Sequence, residues 1–332
     1  MELEVIVDNY LEIIEKIKEA KNILLVSHIG PDGDTIGSTI AFSNLINDNF
    51  EGKNVDFVIQ HKIPDIYKFL PNVDKCFLTN REISISCYDL AIAIDCATKN
   101  RMGYIERIFD KAKFKINIDH HITNPKYANI NVINAGLSSC GELIFDFALK
   151  TNLNISKNTA TCLYTAILAD TGAFRYSNTT AETLKSASML VELGANPHLI
   201  YEHCFERRPV EMLKIASRAM ADAIFLSDDK IAYTVVDRAM LSRFNALDEH
   251  LEGIPEMLRQ ATSVEVAFVL KETIKNEAKF SFRSKTLDVS SLCAKFGGGG
   301  HKCAAGCILK VPLDEALAVV LPEVEKMVKN DR

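Results

Sequence analysis

The sequence predicts an α/β protein: a doubly wound, mainly parallel sheet in the N-terminal part, joined by a helical linker to a smaller α/β unit. Two observations carry this. Ile23–Val26, Val55–Ile59, Leu90–Ile94 and Lys115–Ile118 are short apolar runs separated by helix-like segments, the pattern of parallel strands buried on both faces. Ile231–Val236, Val264–Leu270 and Lys279–Arg283 repeat the strand signal later in the chain. Between them, Ala181 to Phe225 is charge-laced and helical without strand signals. The resulting division is an N-terminal domain over 1–190, a linker over 191–225 and a C-terminal domain over 226–332.

Local signals place the remaining elements. Met1 to Tyr10 alternates acidic and apolar residues with no basic region, so it reads as the start of a helix rather than a secretion signal. Ser139-Cys140-Gly141-Glu142 has the spacing of a capping box and opens an amphipathic helix through Leu149. A second helix, Asn158 to Ala169, delivers Asp170 at its C-terminal end, where Thr171-Gly172 breaks the pattern.

The 332 residues carry a formal net charge of −6. This argues against a grip on long duplex nucleic acid, which needs many Lys and Arg to neutralise phosphates; a nucleotide ligand is expected to be small. No stretch approaches the roughly 20 apolar residues that span a membrane. The nine cysteines are scattered, and Cys303 and Cys307 lack C-x-x-C spacing, so reduced, mostly buried thiols and a cytoplasmic location are expected.

Four clusters carry the chemistry: His28-Ile29-Gly30-Pro31-Asp32-Gly33-Asp34, Asp95, Asp119-His120-His121 and Asp170. In a doubly wound sheet, ligands sit at the carboxyl ends of strands, and His28, Asp95 and Asp119 each close a strand run. Hard oxygen donors with imidazoles suit Mn²⁺ or Mg²⁺, and a pair of such ions can clamp a phosphoryl displacement. Gly30, Pro31 and Gly33 let the first loop turn sharply, so that His28 and Asp32 reach one ion and Asp34 another. A carboxylate such as Asp95 can bridge two ions. In Asp119-His120-His121 neighbouring side chains diverge, so one imidazole can bind metal while the other meets substrate. In the second unit, Gly297–Gly300 lets backbone N–H groups approach an anion, while Arg283 and His301 offer phosphate contacts.

Asp119-His120-His121, with the His-x-x-x-Asp-x-Asp loop, Asp95 and Asp170, resembles the DHH phosphoesterase superfamily. Phe282-Arg283-Ser284 followed by Gly297–Gly300, His301 and Ala304-Ala305-Gly306 is similar to its DHHA1 substrate-binding domain. Together they cover essentially the whole chain and resemble the bacterial nanoRNase and pAp-phosphatase family. The resemblance implies a DHH catalytic domain in which His28, Asp32 and Asp95 hold one Mn²⁺, and Asp34, Asp95, His120 and Asp170 the other, with Mg²⁺ or Co²⁺ as substitutes. His121 then contacts the scissile phosphate, with Asp95 and His120 counted beside it in the catalytic set. Arg283, Ser284, Gly298, Gly299, Gly300 and His301 bind substrate. The implied activity is hydrolysis of short 5′-phosphorylated oligoribonucleotides and adenosine 3′,5′-bisphosphate to 5′-mononucleotides by a metal-activated water. A soluble phosphodiesterase for cyclic or linear dinucleotides is the alternative, and a binding-only nucleotide sensor a third reading. The sequence leaves monomer or homodimer open.

Overall fold

The computed structural model describes residues 2–58, 63–75 and 87–329, with backbone alone over 2–7. The chain forms two compact units, Met1–Arg207 and Arg208–Arg332.

In the first unit the elements run α1 (Glu2–Glu19), β1 (Asn22–Val26), α2 (Gly33–Asn49), β2 (Asn54–Val58), β3 (Leu90–Ile94), α3 (Glu106–Lys111), β4 (Phe114–Asp119), β5 (Ile130–Ile133), α4 (Cys140–Lys150), α5 (Lys157–Asp170), α6 (Ala181–Glu192) and α7 (Pro197–Tyr201). Five strands form one all-parallel sheet in the order β2-β1-β3-β4-β5. Side-chain alternation explains the near-continuous apolar runs: Ile23 and Leu25 pack under α1, α2, α4 and α5, while Leu24 and Val26 pack with Met102, Ile105 and Phe109 on the other face. The strand predicted over Val55–Ile59 is β2, and Ile59 lies outside the described residues.

Small residues set how closely the helices of the first face approach. A Cβ on Gly33 would stand 2.4 Å from the Ala169 Cβ, one on Gly37 2.5 Å from the Cys162 carbonyl oxygen, and one on Gly141 2.4 Å from the Ala166 Cβ. These contacts seat α2 and α4 directly on α5, which brings Asp34 and Asp170 to one end of the sheet.

The second unit contains α8 (Val210–Ala221), β6 (Ile224–Leu226), β7 (Ile231–Val236), α9 (Arg238–Arg243), α10 (Ile254–Arg259), β8 (Val266–Glu272), β9 (Ala278–Ser284), α11 (Val289–Ala294), β10 (Gly299–His301), β11 (Ala304–Leu309) and α12 (Leu313–Lys329). Its mixed sheet is ordered β10-β11-β9-β8-β7-β6, parallel only at β7/β8. The Val266, Phe268, Phe280, Phe282 face packs against α11 and α12, the Ala232, Ala267, Val269 face against α8 to α10.

The segment expected to be a linker, 191–225, is not a free-standing connector. Ala195, Ile200 and Cys204 are buried in the first core, and Ile215 and Ala219 in the second. Phe225 lies on edge strand β6, too short at three residues to register as a strand signal. No helix among the described residues is long and apolar enough to cross a membrane.

Candidate active site

The order of the first sheet reverses between β1 and β3, the crevice where ligands settle in open α/β sheets. His28 follows β1, Asp95 follows β3 and Asp119 ends β4, so three of the predicted clusters meet there. Asp95 takes φ +53, a left-handed conformation that Asp tolerates better than most residues. Asp32 is the N-cap of α2, its side chain accepting the Thr35 N–H, and Asp170 ends α5.

Asp95 is the common member. His28, Asp32 and Asp95 bring ligand atoms within 4.8 Å of one another; so do Asp34, Asp95, His120 and Cys140, and so do Asp95, Asp119 and His121. His120 Nε2 stands 3.8 Å from Asp34 Oδ2, 3.8 Å from Asp95 Oδ1 and 3.7 Å from Asp170 Oδ2. Apart from exposed Asp32, these acidic and imidazole groups are buried or half-buried, and they could hold metal ions.

The tautomers follow from the partners. The His28 Nδ1–H donates to the Ile29 carbonyl at 2.9 Å, which turns Nε2 toward Asp95, 3.5 Å from its Oδ2. Thr35 Oγ1 lies 2.6 Å from that Nε2 and 2.5 Å from Asp95 Oδ2. One hydroxyl proton cannot serve both, so Thr35 donates to the carboxylate and accepts from a protonated Nε2. Burial pulls the His28 pKa down, but the bond and charge of Asp95 outweigh it and the net shift is upward. His121 Nδ1–H donates to Asp119 Oδ1 at 2.8 Å, while Asn124 Nδ2 donates to Asp119 Oδ2; Asp119 thus orients His121 and raises its pKa.

Asp34 has a second job. Its oxygens accept the Cys140 and Gly141 N–H groups at 2.8 and 2.9 Å, the first turn of α4, and the Ser38 hydroxyl at 2.9 Å. Even so, burial and the charges of Asp95, Asp170 and Asp32 hold its carboxyl well above the ordinary range. Burial, with Asp95 and Asp32 adding, likewise pushes Asp170 from 3.8 up to about 6, against the pull of His120. Carboxylates crowded beyond what imidazoles can neutralise are the donor set a divalent cation fits.

The pH dependence follows. The folded protein holds the Asp170 proton more tightly than the unfolded chain, so without divalent cations stability falls as pH rises from about 4 to about 6. Asp95 and Asp119, whose pKa values are lowered against the pressure of burial, act below that window, and His28 and His121, raised above 6.5, act above it. Melting temperature against pH should slope downward over this range in chelator, and Mn²⁺ should raise it most at the upper end.

The sequence reading named each cluster but missed Thr35, Arg101, Cys140 and Asn124 beside them. Cys140 Sγ lies 3.7 Å from Asp95 Oδ1, its thiol pushed well up by burial and the surrounding carboxylates. The capping box is also displaced. Ser139 caps α4, but Glu142 Oε2 accepts from the N–H and hydroxyl of Ser138 rather than from Ser139.

In the second unit, cross-strand register places His301 opposite Ala304 and Ala304 opposite Arg283, a row on one face with a small residue at its centre. Ser284 must then point to the other face. It is fully buried and its hydroxyl donates to the Leu287 carbonyl, so the side chain expected to contact substrate is engaged within the fold. Arg283 Nε donates to Glu256 Oε1 at 2.6 Å and Nη1 to the Phe282 carbonyl at 2.9 Å, leaving further N–H groups of the fork unengaged by these contacts.

The glycines divide by cause. A Cβ on Gly298 would stand 2.2 Å from the Gly306 carbonyl oxygen, and Gly300 combines φ +146 with a Cβ 2.5 Å from the Ala304 carbonyl oxygen. Both are required by strand packing. Gly299 faces open space. Gly300→Ala should lower the melting temperature by several degrees, from strain of about 1–3 kcal/mol, whereas Gly299→Ala should melt like wild type.

Fold and site define a two-domain α/β protein with a buried carboxylate and imidazole cluster at a sheet switch point and a separate mixed-sheet domain. The chain carries DHH and DHHA1 domains: the DHH family N-terminal domain matches residues 22–167 and the DHHA1 domain residues 228–330. A probable bifunctional oligoribonuclease and PAP phosphatase NrnA from Streptococcus mutans is 27% identical, over 89% of this chain and 91% of that protein. The bifunctional oligoribonuclease and PAP phosphatase NrnA of Mycoplasma genitalium is 26% identical, over 90% and 92%. An exopolyphosphatase-related protein from Bacteroides fragilis superposes with a TM-score of 0.90 at 25% identity, over 96% of each chain.

Proposed function

We propose that the chain is a metal-dependent phosphoesterase that hydrolyses short 5′-phosphorylated oligoribonucleotides and adenosine 3′,5′-bisphosphate to 5′-mononucleotides. The observation that carries this reading is the convergence of three ligand groups on Asp95; the names of the relatives support the substrate class. His28, Asp32 and Asp95 would hold one divalent ion and Asp34, Asp95, His120 and Asp170 a second, Mn²⁺ by preference with Mg²⁺ or Co²⁺ as substitutes. Bound there, such ions supply an activated water and offset the charge of the phosphoryl oxygens. His121, favoured as the imidazolium by Asp119, donates its Nε2–H to a phosphoryl or leaving oxygen. In the C-terminal unit, Arg283, His301 and the Gly299 backbone recognise a further phosphate of the substrate.

The test is product release with Mn²⁺ from adenosine 3′,5′-bisphosphate, a 5′-phosphorylated RNA dinucleotide, a long single-stranded RNA, cyclic di-AMP and pyrophosphate. Metal-dependent 5′-mononucleotide from the first two is expected. Preference for cyclic di-AMP would move the chain to dinucleotide turnover, and silence on all five would overturn catalysis in favour of binding alone.

A further inference from the structure

Arg101 lies in the 3₁₀ segment Lys99–Ile105 that follows β3, and its carbonyl accepts the Ile29 N–H at 2.8 Å, tying it to the loop that carries His28. Its Nη2 stands 3.2 Å from His28 Nδ1. That nitrogen already gives its proton to the Ile29 carbonyl, so the approach sets donor against donor and is a contact rather than a hydrogen bond. Among the described residues no carboxylate pairs with this guanidinium; His28, which it touches, stands 3.5 Å from Asp95 Oδ2 and 4.0 Å from Asp32 Oδ2 through its other ring nitrogen. Its charge reaches both imidazoles that flank the centre, opposing protonation of His28 and of His121. Half-buried, the guanidinium keeps N–H groups of its fork free to meet an anion.

We propose that Arg101 is a substrate-binding residue of this centre, donating its free N–H groups to a phosphoryl oxygen of the phosphoester being cleaved. The inference rests on the phosphoesterase reading and adds to it the group that neutralises phosphoryl charge from the protein side. Arg101 would act on the reacting phosphate, which every substrate of this class shares, whereas Arg283 is assigned to a second phosphate.

Arg101→Ala and Arg101→Lys are compared with wild type on adenosine 3′,5′-bisphosphate and on a 5′-phosphorylated dinucleotide. Mn²⁺ affinity and Mn²⁺-dependent binding of inorganic phosphate are followed by calorimetry. The expected result is a loss of kcat/KM on the order of 100-fold in the alanine variant, equal on both substrates. Phosphate binding should weaken by about tenfold or more, Lys should recover part of each loss, and Mn²⁺ affinity should stay unchanged. Wild-type kcat/KM or phosphate affinity in Arg101→Ala would overturn the inference. So would a parallel loss of Mn²⁺ affinity, which would reduce Arg101 to a brace for His28. A wild-type protein inactive on every phosphoester would overturn the functional reading instead, and the phosphate-binding comparison would still decide the role of Arg101.

Discussion

Asp95→Asn is expected to lower kcat/KM by on the order of 10³-fold or more, beyond the 10–100-fold typical of removing a group that only orients a ligand. Asp95 belongs to all three groups of converging donors, so its loss weakens each of them at once. Asparagine is the informative replacement. It tolerates the φ of +53 and can still accept the Thr35 hydroxyl, whereas alanine adds a left-handed backbone cost of about 1–2 kcal/mol. Metal-free stability should change little. Losing the interaction with His28 destabilises the fold, but the same substitution removes a negative charge that raises the pKa values of both Asp34 and Asp170. Activity assays beside thermal melts in chelator check this. A melting temperature lowered by tens of degrees would assign Asp95 a structural role instead.

The parallel sheet was legible because central strands buried on both faces must be continuously apolar, as Leu90–Ile94 is. The metal-type cluster was legible because strand ends of a doubly wound sheet share one edge, which places His28, Asp95 and Asp119 together before any side chain is located. What escaped the reading depends on tertiary approach. Gly33 read as a turn residue and Gly37 carried no signal, yet their missing side chains admit α5 and thereby position Asp170. Arg101 and Asn124 carry no local pattern, and only the folding of their loops over the sheet brings them to the imidazole of His28 and the carboxylate of Asp119. Ser284 entered with the Phe282-Arg283-Ser284 motif of the resemblance, whereas strand alternation sends neighbours to opposite faces and buries its side chain.

Arg283→Ala is expected to lower kcat/KM by about 100-fold on substrates carrying a second phosphate, mostly through KM, because charge-assisted bonds contribute about 1.5–3 kcal/mol. A 3′-phosphomonoester lacking the 5′-phosphate should be hydrolysed by wild type and variant alike within about threefold, since the lost contact is made to the missing group. Lysine should rescue little. The Arg283 fork is oriented by its Nε bond to Glu256 and its Nη1 bond to the Phe282 carbonyl, and an ammonium cannot reproduce that planar arrangement. The substitution also strands the Glu256 carboxylate, whose Oε2 is already buried without a partner. Arg283→Ala should therefore melt lower than wild type. Adding Glu256→Gln removes the stranded charge and should restore part of the melting temperature while leaving KM high. If the double variant recovered KM together with stability, Arg283 would be a packing residue and the substrate contact would have to be sought at His301.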